Sequence, residues 1–140
     1  MSFVPENRLE EALMRADKNP MSKREFHRML LGSDVIVIGR IEGRGPSPAG
    51  TPLMPGEKLQ IASKQNEGRR FIPVFSSMTR LSTYLQGKTE GYVMLAGRAL
   101  LEMTRGATLL LNIGDDSGRE ISADEIAGLL DSNPIKPTLN

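Results

Sequence analysis

The chain has 140 residues, no cysteine, one histidine, and 18 basic against 17 acidic side chains. That length suits one domain with its own core. The missing cysteine excludes disulfides, thiolate catalysis and Cys-based zinc or iron–sulfur sites, and the net charge of +1 gives no general attraction to nucleic acid or anionic lipid.

Leu9, Ala12, Leu13 and Ala16 recur at three- and four-residue spacing and predict a helix over residues 6–17 with one apolar face. Asn19-Pro20 ends it. A second helix follows, with Ser22 expected to cap it, Glu25 to reach back and Met21 to pack on Phe26. Phe26, Met29 and Leu30 form its stripe and Gly32 closes it. Residues 34–40 read DVIVIGR, a β-branched run suited to a strand covered on both faces. Residues 41–57, rich in glycine and proline, read as a long loop.

Residues 58–63 and 69–75 predict a hairpin turning at Gln65–Gly68. Pro73 lacks a donor and marks that strand as an edge or a bulge. Residues 76–86 predict a helix facing inward through Met78, Leu81, Tyr84 and Leu85. A strand over 92–96 is followed by a short helix over 97–104, buried through Leu100 and Leu101, with Met103 a further candidate. Residues 108–113 form an apolar strand. Ser122 and Glu125 then repeat the capping box, with Ile121 and Ile126 as staple, ahead of a last helix carrying Ala127, Leu129 and Leu130. Residues 132–140 read as a flexible tail.

The expected fold is α+β, a mixed β-sheet with helices packed on it, in the order α-α-β-(loop)-β-β-α-β-α-β-α. One domain is expected over residues 6–131. Alternation of strands and helices in the second half predicts parallel neighbours. No apolar run approaches the ~20 residues that cross a bilayer. The start of the chain, Met1 to Glu6, lacks the basic-then-apolar pattern of a secretory signal, so a cytoplasmic protein is expected.

No residue cluster carries a reaction by itself. His27, beside the apolar stripe of a basic helix, reads as a surface or boundary histidine. Asp115 and Asp116 lie in a polar loop after a strand, but their spacing does not match a calcium loop, and Asp116-Ser117-Gly118 serves as a tight turn. Gly43-Arg44-Gly45 lacks the Gly-Lys-Ser/Thr of a phosphate loop. Arg69 and Arg70, beside Phe71 and Phe75, could stack bases, but the spacing of the aromatics resembles core packing more than a stacking platform. Ser76-Ser77 follows a strand without the Gly-x-Ser-x-Gly frame, and helix capping accounts for both.

The run Phe71-Ile72-Pro73-Val74-Phe75-Ser76-Ser77, then Gly91-Tyr92-Val93-Met94-Leu95-Ala96-Gly97-Arg98-Ala99-Leu100-Leu101-Glu102, then Leu109-Leu110-Leu111-Asn112-Ile113-Gly114 and Gly118-Arg119-Glu120-Ile121, resembles the N-terminal domain of the SseB family, named for enhanced serine sensitivity. The opening Asn7-Arg8-Leu9-Glu10-Glu11-Ala12-Leu13 is similar to its start. The resemblance spans about residues 6–131. It implies an α+β domain without agreed catalytic residues, which a second domain can follow in full-length members. This chain, ending near residue 140, is expected to be a lone-domain member. Where the family often has Asn-Pro-Gly, this chain has Asn112-Ile113-Gly114, which removes a rigid residue.

The expected function is a non-catalytic protein-interaction or regulatory module. The alternative is a small-ligand-binding domain or enzyme using the loops at the strand ends, with nucleic-acid binding ranked below both. No cofactor or metal is expected. The expected partner is another protein, with a homodimer through the Pro73 strand left open. The residues expected to contact a ligand or partner are Arg40, Arg44, Arg69, Arg70, Ser76, Ser77, Arg98, Asn112, Asp115, Asp116 and Arg119.

Overall fold

Asn7, in extended conformation, opens the first helix, α1 (Arg8–Lys18), by accepting the Glu10 N–H at 2.9 Å. The computed structural model that shows this describes residues 5–42, 58–88, 90–113 and 118–132. Most of the expected loop and tail therefore lie outside the described residues. Ile41 and Ser132, expected in those segments, are instead the last residues of a strand and a helix.

The stripe of α1 is buried as its spacing predicts. A 3-10 turn (Pro20–Ser22) leads into α2 (Lys23–Gly32). Here the capping-box expectation fails, for Ser22 makes no side-chain cap bond and Met21 is 87% exposed. The 3-10 turn supplies the entry bonds instead. Asn19 accepts the Met21 N–H through its side chain and the Ser22 N–H through its carbonyl, while Glu25 turns to Arg15.

The strands are β1 (Asp34–Ile41), β2 (Leu59–Ile61), β3 (Lys64–Asn66), β4 (Arg69–Phe75), β5 (Tyr92–Ala96), β6 (Leu109–Leu111) and β7 (Arg119–Ile121). They form one mixed sheet with the spine β5-β1-β4-β6-β7. β1 lies inside it, pairing antiparallel with β5 on one edge and with β4 and β2 on the other. Its side chains alternate between two covered faces, Val35 and Val37 into one core cluster and Ile36 and Ile38 into the other, so the run Val35–Ile38 is buried continuously. Among the described ladders only β4–β6 is parallel. β4 and β5 do run in the same direction, as the alternation predicts, but β1 sits between them. Alternation constrains direction and leaves adjacency open. β7 was not expected; it is a three-residue strand folded back on β6.

The expected hairpin is also re-partnered. β2 pairs with β1, and β3 pairs with β4 through a two-residue turn at Glu67 (φ 53) and Gly68 (φ 78). Two positive φ values match the twist of a tight hairpin. β2 and β3 thus fill the fork where β1 and β4 part. Gly39 lies where β2 crosses, since a Cβ there would come within 2.2 Å of the Gln60 carbonyl oxygen. Pro73 sits at the apex of the fork. On that side β4 pairs with β3 as far as Phe71 and with β1 from Val74 onward, so the missing N–H breaks no ladder bond. β4 is therefore paired on both sides and is not an edge strand.

The remaining helices are α3 (Met78–Leu85), α4 (Gly97–Met103) and α5 (Ala123–Ser132). α1, α2, α4 and α5 cover one sheet face through the main core. α3 covers the other, with Leu81, Tyr84 and Leu85 over Ile36, Ile38 and Phe75. Met78 and Met103, expected to point inward, sit in end turns and are exposed. Gly97 starts α4 directly against the end of α2, and its N–H donates to the Ser33 carbonyl at 2.7 Å.

Candidate functional site

The C-terminal ends of β4 and β6 meet the start of α1 in a buried polar knot. Asn112, just past β6, has φ 54 and is fully buried. A short polar side chain tolerates that left-handed backbone. The Asn112 side chain accepts the Ser76 N–H at 3.0 Å through Oδ1 and donates to Ser76 Oγ at 2.9 Å through Nδ2. The Ser76 hydroxyl donates to Glu10 Oε2 at 2.5 Å. Glu10 Oε1 also takes the Glu6 N–H and the Arg80 guanidinium, both at 3.0 Å. Asn7 Nδ2 donates to the Ser76 carbonyl at 2.8 Å. The knot thereby ties α1, on one face of the sheet, to α3 on the other.

Glu10 is 0% exposed. Burial by itself pushes its carboxyl pKa up. The hydrogen bonds from Ser76, Arg80 and the Glu6 N–H, with the Arg80 charge, outweigh burial and hold the carboxyl below its ordinary value. A carboxylate so stabilised is a poor base, and Ser76 is 4% exposed. The Ser76 hydroxyl is thus spent on Glu10 and Asn112, and the knot is built to hold layers together. Ser77 serves α3 as its cap, accepting the Arg80 N–H at 3.3 Å.

The knot brings together Ser76, Ser77 and Asn112 of the expected contact residues. Arg40 lies toward the opposite end of the sheet because β1 runs against β4, and it bonds Gln60 at 2.8 Å. Arg69 reaches across the sheet to Glu120 at 2.7 Å, and Arg70 is exposed beside a buried Phe71. A buried ring offers no face on which a base can stack. Arg98 is half-buried on α4. Arg44, Asp115 and Asp116 lie outside the described residues. Among the described residues no group of His, Asp and Glu is placed to hold a metal ion, and no helix is long and apolar enough to cross a membrane.

Arg119 belongs to a second cluster. Its guanidinium carbon lies 4.9 Å from the centre of the buried Phe26 ring, and it pairs with Glu125 at 3.1 Å. His27 Nε2 meets the same carboxylate oxygen at 2.9 Å. The sequence-predicted cap is half realised, since Ser122 Oγ accepts the Glu125 N–H at 3.1 Å. The Glu125 carboxylate turns away to His27 and Arg119. Burial raises its pKa, but the His27 hydrogen bond and the charges of Arg119, Lys23 and His27 bring it below the ordinary value.

Above this cluster α2 and α5 enclose an open cleft of about 970 Å³. The exposed Lys23, Arg24 and Arg28 line one wall, Asp124, Gly128 and Ser132 the other, with His27, Glu125 and Leu129 between and Met21 at the mouth. Sequence reasoning missed this site. Its signal was the run Lys23-Arg24-Glu25-Phe26-His27-Arg28, whose cations fall on the face beside the buried stripe.

The two clusters make acid a specific denaturant. Both carboxyls sit below their ordinary value of 4.5 in the folded chain. Each therefore adds stability that is complete above that value and is lost as pH falls through the folded pKa. Urea melts are expected to show a steep decline in stability below about pH 4.5. Glu10→Gln should flatten the decline. An unchanged slope in that variant would remove Glu10 from the account.

The features above define the class: an α+β domain with a mixed sheet and, among the described residues, one helix on one face and four on the other. Residues 9–128 match the SseB protein N-terminal domain, and the chain belongs to the SseB family. It is 31% identical over 132 residues to Protein SseB of Escherichia coli (strain K12), and equally to Protein SseB of Shigella flexneri. These matches cover 92% of this chain and 48% of each relative. The chain thus spans about half the length of the curated relatives it matches. No solved structure matches it significantly.

Proposed function

We propose that this domain is a non-catalytic protein-interaction module that takes up a segment of another protein between α2 and α5. The observation that carries this reading is the contrast between the two polar clusters. The groups at the ends of β4 and β6 are buried and bonded to one another. The cleft presents three exposed cations to solvent beside an exposed methionine. Exposed apolar surface rimmed by charge is the usual dress of a docking surface. Methionine is soft enough to fit varied partner side chains.

Site-specific photo-crosslinking tests the reading in cells. A benzoylphenylalanine in place of Arg24, inside the cleft, is expected to give discrete adducts with another protein. The same group in place of the exposed Ser82, on α3 across the sheet, is expected to give none of them. Identical adduct patterns from the two positions would argue against a cleft-directed partner.

A further inference from the structure

The α2–α5 cleft contains a glycine that the domain's own packing does not require. Gly128 is the sixth of the ten residues of α5, and it is exposed. A Cβ added there would meet nothing within 4 Å. The contrast with Gly39 and Gly97 is direct, since at both a Cβ would run into backbone. Glycine inside a helix is less stable than alanine because it gives up more conformational freedom on folding. Gly128 thus carries that cost with room to spare for a methyl group. What the missing side chain does provide is bare helix backbone in the wall of the cleft, between Asp124 and Ser132.

That wall faces Lys23, Arg24 and Arg28. A ten-residue helix is roughly 15 Å long, enough to hold about two turns of a helix laid in the groove. Bare backbone at the midpoint lets such a segment approach closely. Resting on the reading of this domain as an interaction module, we infer that an acidic helical segment of a partner protein seats against the α5 backbone at Gly128, its carboxylates facing Lys23, Arg24 and Arg28. Gly128 then acts as a specificity-determining residue, setting how near the segment comes to the cations.

The test uses the whole chain and two fluorescent helical peptides of equal length, one with glutamates along one face and alanine and leucine along the other, the second with lysines replacing the glutamates. The wild-type chain is expected to bind the acidic peptide with an affinity that falls as salt rises, and to ignore the basic one. The triple variant K23E/R24E/R28E should lose binding. Gly128→Ala should raise the melting temperature while weakening the acidic peptide at least tenfold. Failure of the wild type to bind the acidic peptide overturns the inference, and the crosslinks from Arg24 then judge the module reading separately. Equal binding by Gly128→Ala and wild type overturns the role of Gly128 and leaves the cationic wall in place. Concentration-dependent dimerisation that the triple variant abolishes makes the occupant a second copy of this chain and overturns the acidic partner.

Discussion

Glu10→Ala is expected to cost about 3–5 kcal/mol of folding stability, the usual effect of breaking a buried ion pair by removing one partner. The carboxylate is fully buried and Arg80 is largely so, 3.0 Å away. Without Glu10 the guanidinium loses its buried carboxylate partner at 3.0 Å, and the Ser76 hydroxyl and Glu6 N–H lose their acceptor. The loss should appear in urea melts as a lower midpoint with an unchanged slope. A compensating variant separates charge from shape. E10L/R80M removes both ends of the pair and should recover much of the lost stability, since buried pairs can be replaced by apolar groups of similar volume. If E10L/R80M is as unstable as Glu10→Ala, the damage comes from packing or from the Ser76 bond, not from the broken ion pair.

Gly97→Ala should be comparably severe for a purely steric reason. The added carbon would come within 1.7 Å of the Leu30 carbonyl oxygen and 3.2 Å of that of Ser33. Both are backbone atoms and cannot swing aside. To make room, α4 must move off the end of α2, breaking the bond from the Gly97 N–H to Ser33. Overpacking a closed site costs about 1–3 kcal/mol, with backbone clashes at or above the top of that range. A drop in melting temperature of roughly 10 °C follows for a chain of this size. Gly128→Ala, in open space, should gain about 0.5–1 kcal/mol by restoring helix propensity. Measured together by calorimetry, the two glycines should shift in opposite directions. A neutral Gly97→Ala would mean that α4 starts farther from α2 than described.

Much of the architecture was legible because it is written in local periodicity. The stripe Leu9, Ala12, Leu13 and Ala16 and the β-branched run Val35–Ile38 each carry their burial within a few neighbouring residues, and both are buried as read. The pairing of β2 was not legible. Three residues of alternation fit β1 and β4 equally, and the choice lies in the fork at Pro73, a contact of distant segments. β7 escaped for the same reason, as Arg119–Ile121 becomes a strand only through Leu109–Leu111. Met21 misled because a hydrophobic staple needs a particular entry angle, which the 3-10 turn changes.

The candidate site was less legible than the fold. Ser76 and Asn112 were marked as polar residues at strand ends, and the structure joins them. Glu10 was invisible as their anchor, because a glutamate beside an apolar stripe looks like any solvated helix residue. Its partner Arg80 lies seventy positions away. The cationic face of α2 was on view in the sequence, but the opposing wall from α5 was not. Gly128 acquires meaning only when the space around it is known.

The placement of β1 has a consequence for solubility. Val35-Ile36-Val37-Ile38 is uncharged and rich in β-branched residues, the composition from which steric zippers assemble. Hydrogen-bonded neighbours on both sides deny that segment to other chains, while the spine ends in short β5 and in β7, which bears Arg119 and Glu120. Self-templating through this segment therefore demands that the middle of the sheet come apart, so fibril formation should track global unfolding rather than surface chemistry.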